Sequence, residues 1–279
     1  MKHLLLLSSI LMTLAGALEA TPQTPEFFAF DNGVGRGKWT PEQQAKTLKD
    51  LGFDGIGYNY TNPEDLAHWQ KAYKEQGLKI FSLYFYTSLD GPQPYDPRIP
   101  EAIKMLKGTE TVLWITIQKP KTPGDHDAEA VKMVQQVADL ANESGVKVAL
   151  YGHFGFYVET GTDSARIVKL AARPNLGASI NLCHEFFSGH GDNLDESVKA
   201  AAPIAILGSI NGMDVANKKY ILRLDQGTYD VAAYVRKLLD AGYKGPIGLQ
   251  CYSVEGDIAE NLRADIAEWK KIAGVLGKQ

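Results

Sequence analysis

The 279-residue chain holds only two cysteines, Cys183 and Cys251, too few for a disulfide scaffold. It has almost no charge bias. Its 29 Lys and Arg against 33 Asp and Glu leave a formal net charge of −4, which gives no general attraction to nucleic acid or to an anionic membrane. Past the N-terminus, no apolar stretch reaches the ~20 residues that a membrane-spanning helix needs. No linker, internal repeat or low-complexity segment divides the sequence, which therefore reads as one domain. The segment Gly33-Val34-Gly35-Arg36-Gly37 lacks the GxGxxG spacing of a dinucleotide-binding turn. At 44% hydrophobic and 22% charged residues, what is present is the composition of an ordinary globular protein.

The N-terminus stands apart. Met1-Lys2-His3 precedes a charge-free run from Leu4 to Leu18, and a basic start with an apolar run of about 15 residues is the pattern of a secretory leader. The run is short for a membrane anchor. Ala15-Gly16-Ala17 is a small-x-small cleavage pattern, Ala20 offers a second end, and no cysteine lies nearby to carry a lipid. The expected organisation is a signal peptide over residues 1–20, cleaved after Ala17 or Ala20, and a domain over residues 21–279. The mature protein is expected to be exported, either periplasmic or secreted, with no membrane span left after cleavage.

Short apolar runs alternate with helix-like segments through the rest of the chain. Strands are expected at residues 27–30, 53–58, 79–86, 111–117, 146–150, 176–182, 204–210 and 246–251. Helices are expected near 40–51, 62–76, 100–106, 127–144, 162–171, 194–201, 229–241 and 258–276. Thr40-Pro41 and Asn62-Pro63 combine an N-cap with proline at the first helical position. Val131, Val134, Val137 and Leu140 recur at helical spacing. Eight strands, each followed by a helix, predict a single (β/α)8 TIM barrel, in preference to an open doubly wound sheet. Cys183 and Cys251 follow strands placed two apart and are expected as separate thiols.

In such a barrel the reactive groups lie at the C-terminal strand ends. Here those ends read Asp31-Asn32, Tyr58-Asn59-Tyr60, Tyr84 and Tyr86, Gln118-Lys119, Tyr151-Gly152-His153, Asn181 through Glu185, Asn211 through Asp214, and Gln250-Cys251-Tyr252. The rim is polar and aromatic, with amides where a hydrolase or metalloenzyme would place carboxylates. Amides donate to and accept from sugar hydroxyls, and aromatic faces pack against the apolar face of a pyranose. His184 and His153 are the acid–base candidates.

Several stretches resemble the xylose isomerase-like TIM-barrel family of sugar isomerases and epimerases. They are Leu51-Gly52-Phe53-Asp54-Gly55-Ile56, Gln76-Gly77-Leu78-Lys79, Leu224 through Asp230, and Ala241 through Ile247, in the family's order and spacing. The resemblance implies a divalent metal held by Glu, Asp, His and Glu after the fifth to eighth strands. The matching positions here are Tyr151, Asn181, Asn211 and Gln250, and a further family Glu is matched by Gly57. His184 fits the last place of the family's Asp-x-x-His motif. Asp214 fits the last place of its His-x-x-Asp motif, and His153 fits the histidine two residues after the fifth-strand Glu. A hard cation needs anionic or imidazole ligands, so no cofactor is expected.

Two functions follow. The first is a sugar isomerase, epimerase or lyase type of enzyme acting on a sugar or sugar derivative without the family's metal. In it His184 is the acid–base group, supported by Asp214 or His153, and Tyr151 is a phenolic donor. The second is a non-catalytic carbohydrate-binding protein on the same scaffold. Both take a small-molecule carbohydrate as partner, with Asn181, Asn211, Gln250, Tyr84 and Tyr58 as binding residues. The family's abasic-site nucleases need many metal ligands and a basic surface, which this chain lacks. A glycoside hydrolase needs a carboxylate pair, for which Asp31, Glu185 and Asp214 are the near candidates.

The leader is directly testable. The N-terminus of protein recovered from the periplasm or medium should be Leu18 or Thr21, and an exported protein still starting at Met1 would reject the cleavage.

Overall fold

A computed structural model describes residues 24–93 and 95–277; the expected leader lies outside them. Helix starts follow local chemistry. The Thr40 side chain accepts from the Gln43 N–H while Gln43 reaches back to the Thr40 backbone, a reciprocal cap that satisfies two otherwise orphaned donors. Thr160 and Asp163 repeat the arrangement, and Asn62 and Asp257 cap two more helices.

Strand β1 (Phe27–Phe30) leads to α1 (Pro41–Leu51), β2 (Gly55–Asn59) to α2 (Pro63–Glu75), and β3 (Lys79–Thr87) to α3 (Ile99–Leu106). Then β4 (Val112–Ile117) leads to α4 (Asp127–Asn142) and β5 (Val148–Tyr151) to α5 (Gly161–Ala171). β6 (Leu176–Asn181) runs directly into a short α6 (Leu182–Phe187), ahead of α7 (Leu194–Ala201). After β7 (Ala205–Ile210) comes a hairpin of β8 (Gly212–Asp214) and β9 (Lys219–Leu222), then α8 (Val231–Asp240), β10 (Ile247–Leu249) and α9 (Ile258–Leu276).

Eight strands close in the order β1-β10-β7-β6-β5-β4-β3-β2. β1 pairs in parallel with both β2 and β10, and each of the other seven strands also has two neighbours, so the sheet has no edge. The (β/α)8 barrel is therefore present. Two pieces were not expected. The sequence placed Leu182 at the end of the sixth strand, but it already begins α6, and the segment after the seventh strand forms a hairpin. Cys183 and Cys251 are both free and buried.

Hydrophobic packing divides into two layers. The outer one lies between strands and helices and contains Ile56, Leu83, Leu113, Val134, Val137 and Leu238. The inner one fills the barrel with Phe28, Phe30, Phe81, Tyr84, Val112, Trp114, Ala149, Tyr151 and Leu207. Its rings form a column: Phe28 stacks on Phe81 at 4.6 Å, Phe30 on Trp114 at 5.0 Å, and Trp114 on Tyr151 at 3.9 Å between centroids. The register shifts between Ile56 and Gly57, which pair with Ile80 and Ser82. The extra residue on β3 is Phe81, and this bulge re-aims the strand, so that Ser82, Tyr84 and Tyr86 all reach the mouth.

The column fits because the strands on either side of β1 carry glycine at its level. A Cβ on Gly248 would come within 2.7 Å of Phe30 and 2.8 Å of Phe28. One on Gly57 would meet Ser82 Oγ at 2.6 Å and Phe30 at 3.0 Å. Overpacking of this kind costs about 1–3 kcal/mol. Gly248→Ala is expected to lower unfolding free energy by that amount in a urea titration, and an unchanged midpoint would contradict this account of the interior.

Candidate functional site

Above the ring column the C-terminal mouth opens into a cavity of about 400 Å3. Its floor and inner wall are Phe30, Trp114, Tyr151, Tyr84 and Ser82, and higher up the wall is completed by Asn32, Arg36, Asn59, His153, His184 and Gln250. The edge carries Tyr86, Phe154, Phe187 and Tyr252.

A neutral hydrogen-bonded chain crosses this mouth. Asn32 Nδ2 donates to Gln250 Oε1 at 2.9 Å, and the Tyr252 N–H donates to the same oxygen at 3.2 Å. The Gln250 amide faces the Tyr151 hydroxyl, which accepts from Asn181 Nδ2 at 2.6 Å. Asn181 Oδ1 in turn accepts from the Cys183 thiol at 3.0 Å. Burial pushes the Tyr151 phenol well above its ordinary value, so it stays protonated.

Beside this chain several polar atoms are buried without a partner: Ser82 Oγ, Tyr84 Oη, Trp114 Nε1, Asn32 Oδ1 and both ring nitrogens of His184. All belong to residues of the cavity wall. Buried polar groups are nearly always satisfied in native proteins, so their gathering on residues that line one hollow marks where a polar ligand would be met.

His184 rides on α6 and His153 follows β5, with ring centroids 4.1 Å apart. The Tyr151 ring lies 5.5 Å from that of His184, and His153 Nδ1 faces the Phe154 carbonyl at 2.9 Å. Burial lowers both imidazoles, and the neighbouring His153 lowers His184 further. The pair is neutral at neutral pH.

Of the residues named from sequence, His184, His153, Tyr151, Gln250 and Tyr84 meet in the cavity wall, and Asn181 supports it through Tyr151. Two others, Asn211 and Asp214, do not join them, and Tyr58 does so only in part. Tyr58 reaches the wall, but its ring stacks on Trp69 at 4.0 Å and its hydroxyl donates to Gln44. Asn211 is fully buried and donates to the carbonyls of Gly212 and Tyr220. Asp214 sits on the β8–β9 hairpin with both carboxylate oxygens facing Asn217, so the expected pairing with His184 is not formed. The carboxylate pair of a glycoside hydrolase is also missing from the wall. Asp31 is ion-paired with Arg36, Glu185 accepts from the Gly161 N–H at 2.7 Å, and neither residue lines the cavity.

Sequence reasoning did not single out Trp114, Ser82, Phe30, Arg36, Phe154 or Phe187. Trp114 lies inside a strand rather than at its end, and only strand parity could have pointed it inward. Arg36 follows the first strand in a turn. Its Nε donates to Asp31 Oδ2 at 3.0 Å and its Nη2 to Asn59 Oδ1 at 3.1 Å. Burial raises the Asp31 carboxyl and the Arg36 guanidinium opposes that rise.

The neutral histidines carry a pH signature. An unfolded histidine takes up its proton near pH 6.5, whereas these two take theirs at lower pH. The unfolded chain therefore binds more protons below about pH 6.5, and stability falls as pH falls, by up to about 1.4 kcal/mol per pH unit for each group. Relative to the wild type, His184→Gln should flatten the decline in melting temperature between about pH 6.5 and 5. Parallel curves would contradict the buried neutral imidazole.

Among known proteins, the family model described as "Xylose isomerase-like TIM barrel" matches residues 45–272. No curated protein matches the chain by sequence. Among solved structures, D-allulose 3-epimerase from Methylomonas sp. is similar with a TM-score of 0.72 at 18% identity, over 91% of this chain and 99% of that one. The 3-keto-D-glucoside 4-epimerase of E. coli gives 0.71 at 15% identity, over 88% and 99%. A probable 3-DHS dehydratase from Bacillus anthracis gives 0.71 at 13% identity, over 87% and 97%. At these identities the likeness is one of fold. With the family model running from α1 into α9 and the eight-stranded barrel closed, the chain belongs to the xylose isomerase-like TIM-barrel family.

Proposed function

We propose that the protein binds a sugar or sugar derivative in the barrel mouth without a divalent cation. One observation carries the reading: Ser82, Tyr84, Trp114 and His184, whose buried donors and acceptors have no partner, all line a single hollow walled by aromatic rings. Rings supply stacking faces for the apolar side of a pyranose, and the orphaned polar atoms supply partners for its hydroxyls. The similar structures include epimerases of D-allulose and of a 3-keto-D-glucoside, which supports a carbohydrate ligand.

The residues at the family's ligand positions do not fit a hard cation. All four are neutral. The Asn181 amide directs a donor at Tyr151, the Asn211 amide donates to carbonyls, and Gln250 Oε1 already accepts twice. Among the described residues no group of three or more His, Cys, Asp and Glu could hold a metal ion. Neutral donors alone offset little of the hydration that a divalent cation gives up, so such a set holds it weakly.

A second reading, catalysis, is favoured by the His184 ring. A neutral imidazole with both nitrogens unpartnered can take a proton from a ligand carbon or hydroxyl, and a second imidazole, His153, lies beside it. The proposed setting is outside the cytoplasm; the leader pattern of residues 1–20 supports this.

Titration with a panel of pentoses and hexoses, followed by Trp fluorescence or calorimetry, is expected to show saturable binding that EDTA leaves unchanged. Tyr84→Phe should weaken it about fivefold, the worth of roughly 1 kcal/mol of hydrogen bond, with no loss of melting temperature. Binding abolished by EDTA and restored by a divalent cation would overturn the metal-free reading. If the same panel yields a product, its formation should vanish in His184→Gln, and unchanged turnover there would remove His184 from the chemistry.

A further inference from the structure

The aromatic rings of the mouth form two tiers that differ sharply in exposure. The inner tier of Trp114, Tyr151 and Tyr84 is 4%, 3% and 8% exposed. The outer tier of Tyr86, Phe154, Phe187 and Tyr252 is 46%, 48%, 37% and 61% exposed. Single exposed apolar side chains are ordinary on a protein surface and call for no explanation. These are not scattered. Among the described residues seven large hydrophobic side chains are exposed, and the four outer-tier rings all belong to the one cavity.

The four rings also come from separate parts of the barrel. Tyr86 is the last residue but one of β3, Phe154 follows β5, Phe187 ends α6 and Tyr252 follows β10. Phe154 and Phe187 face each other at 5.7 Å, while Tyr86 stands 4.7 Å from the inner Tyr84. Folding alone gives no reason to keep four large rings in water around one opening. An apolar collar exposed at a pocket mouth marks a surface that a ligand covers.

Resting on the carbohydrate reading above, we propose that the ligand is a glycoside: a sugar bearing a second ring, either another sugar or an aryl group. The inner tier and its unpartnered polar atoms take the sugar. The outer tier stacks on the attached ring. The cavity volume of about 400 Å3 falls among sites for ligands larger than one pyranose. The wall between the tiers is polar, with Asn32, Asn59 and His153, which suits the glycosidic oxygen and the hydroxyls beside it. An apolar chain would leave those groups unpaired at a cost.

The test measures affinities for glucose, galactose, mannose and xylose, for disaccharides containing each sugar, for their 4-nitrophenyl glycosides, and for 4-nitrophenol. A disaccharide or aryl glycoside should bind about tenfold tighter than its free sugar, the worth of one or two added stacking contacts. Preference for the disaccharide or for the aryl glycoside identifies the second ring. In the variant carrying Phe187→Ala and Tyr252→Ala, both at exposed positions, the ratio of glycoside to free-sugar affinity should fall to about one. Free sugars that bind as tightly as every glycoside would overturn the proposal while leaving carbohydrate binding intact. A ratio unchanged in the double variant would overturn it as well, as would 4-nitrophenol binding as tightly as its glycosides. No binding of any sugar or glycoside would overturn both this proposal and the reading on which it rests.

Discussion

The interior of this barrel depends on two rings from one strand. Phe28 and Phe30 point into the axis, and the strands on either side yield space at Gly57 and Gly248. Everything above them is stacked in sequence: Trp114 lies on Phe30, Tyr151 on Trp114, and Tyr84 against both upper rings. TIM barrels are usually filled by layers of branched aliphatic side chains. Here flat rings fill the same volume, and a flat ring at the top of a packed column has one face or edge left over. That leftover surface is the floor of the cavity, so the packing solution and the binding surface are the same set of atoms.

The aromatic filling also settles the electrostatics of the mouth. Low-dielectric walls penalise ions and favour neutral groups. The phenol of Tyr151 and the thiol of Cys183 are held protonated by burial, and the two imidazoles are held neutral by it. The charges nearest the mouth, Asp31 and Arg36, compensate each other. An uncharged mouth suits a neutral polyhydroxy ligand, whose hydroxyls need direction from donors and acceptors rather than a field.

Much of the architecture was readable from the sequence because its signals are local. Thr40 and Asn62 announce helix starts by side-chain capping, and the alternation of strand and helix counts out a barrel. The locations of His184, His153, Tyr151 and Gln250 followed from strand ends alone. What was not readable depends on parity and on long-range pairing. Tyr58 sits at a strand end and reaches the cavity wall, yet strand parity sets its ring in the outer layer against Trp69. The bulge at Phe81 changes which residues of β3 face the axis, and it exists only through pairing with β2. α6 begins without a side-chain cap, so no sequence signal separates it from the strand before it. The β8–β9 hairpin carries Asp214 away from the cavity although its motif position suggested otherwise.

A glutamate restored at position 57, where the family resemblance would put one, needs volume that Ser82 and Phe30 already occupy. Introduced alone it overfills the barrel. If Phe30 is first reduced in size, Trp114 loses the ring beneath it and a void remains. Either change made alone therefore destabilises the protein. Rings and glycines are thus a matched set, and a carboxylate at this level of the barrel calls for both to change together.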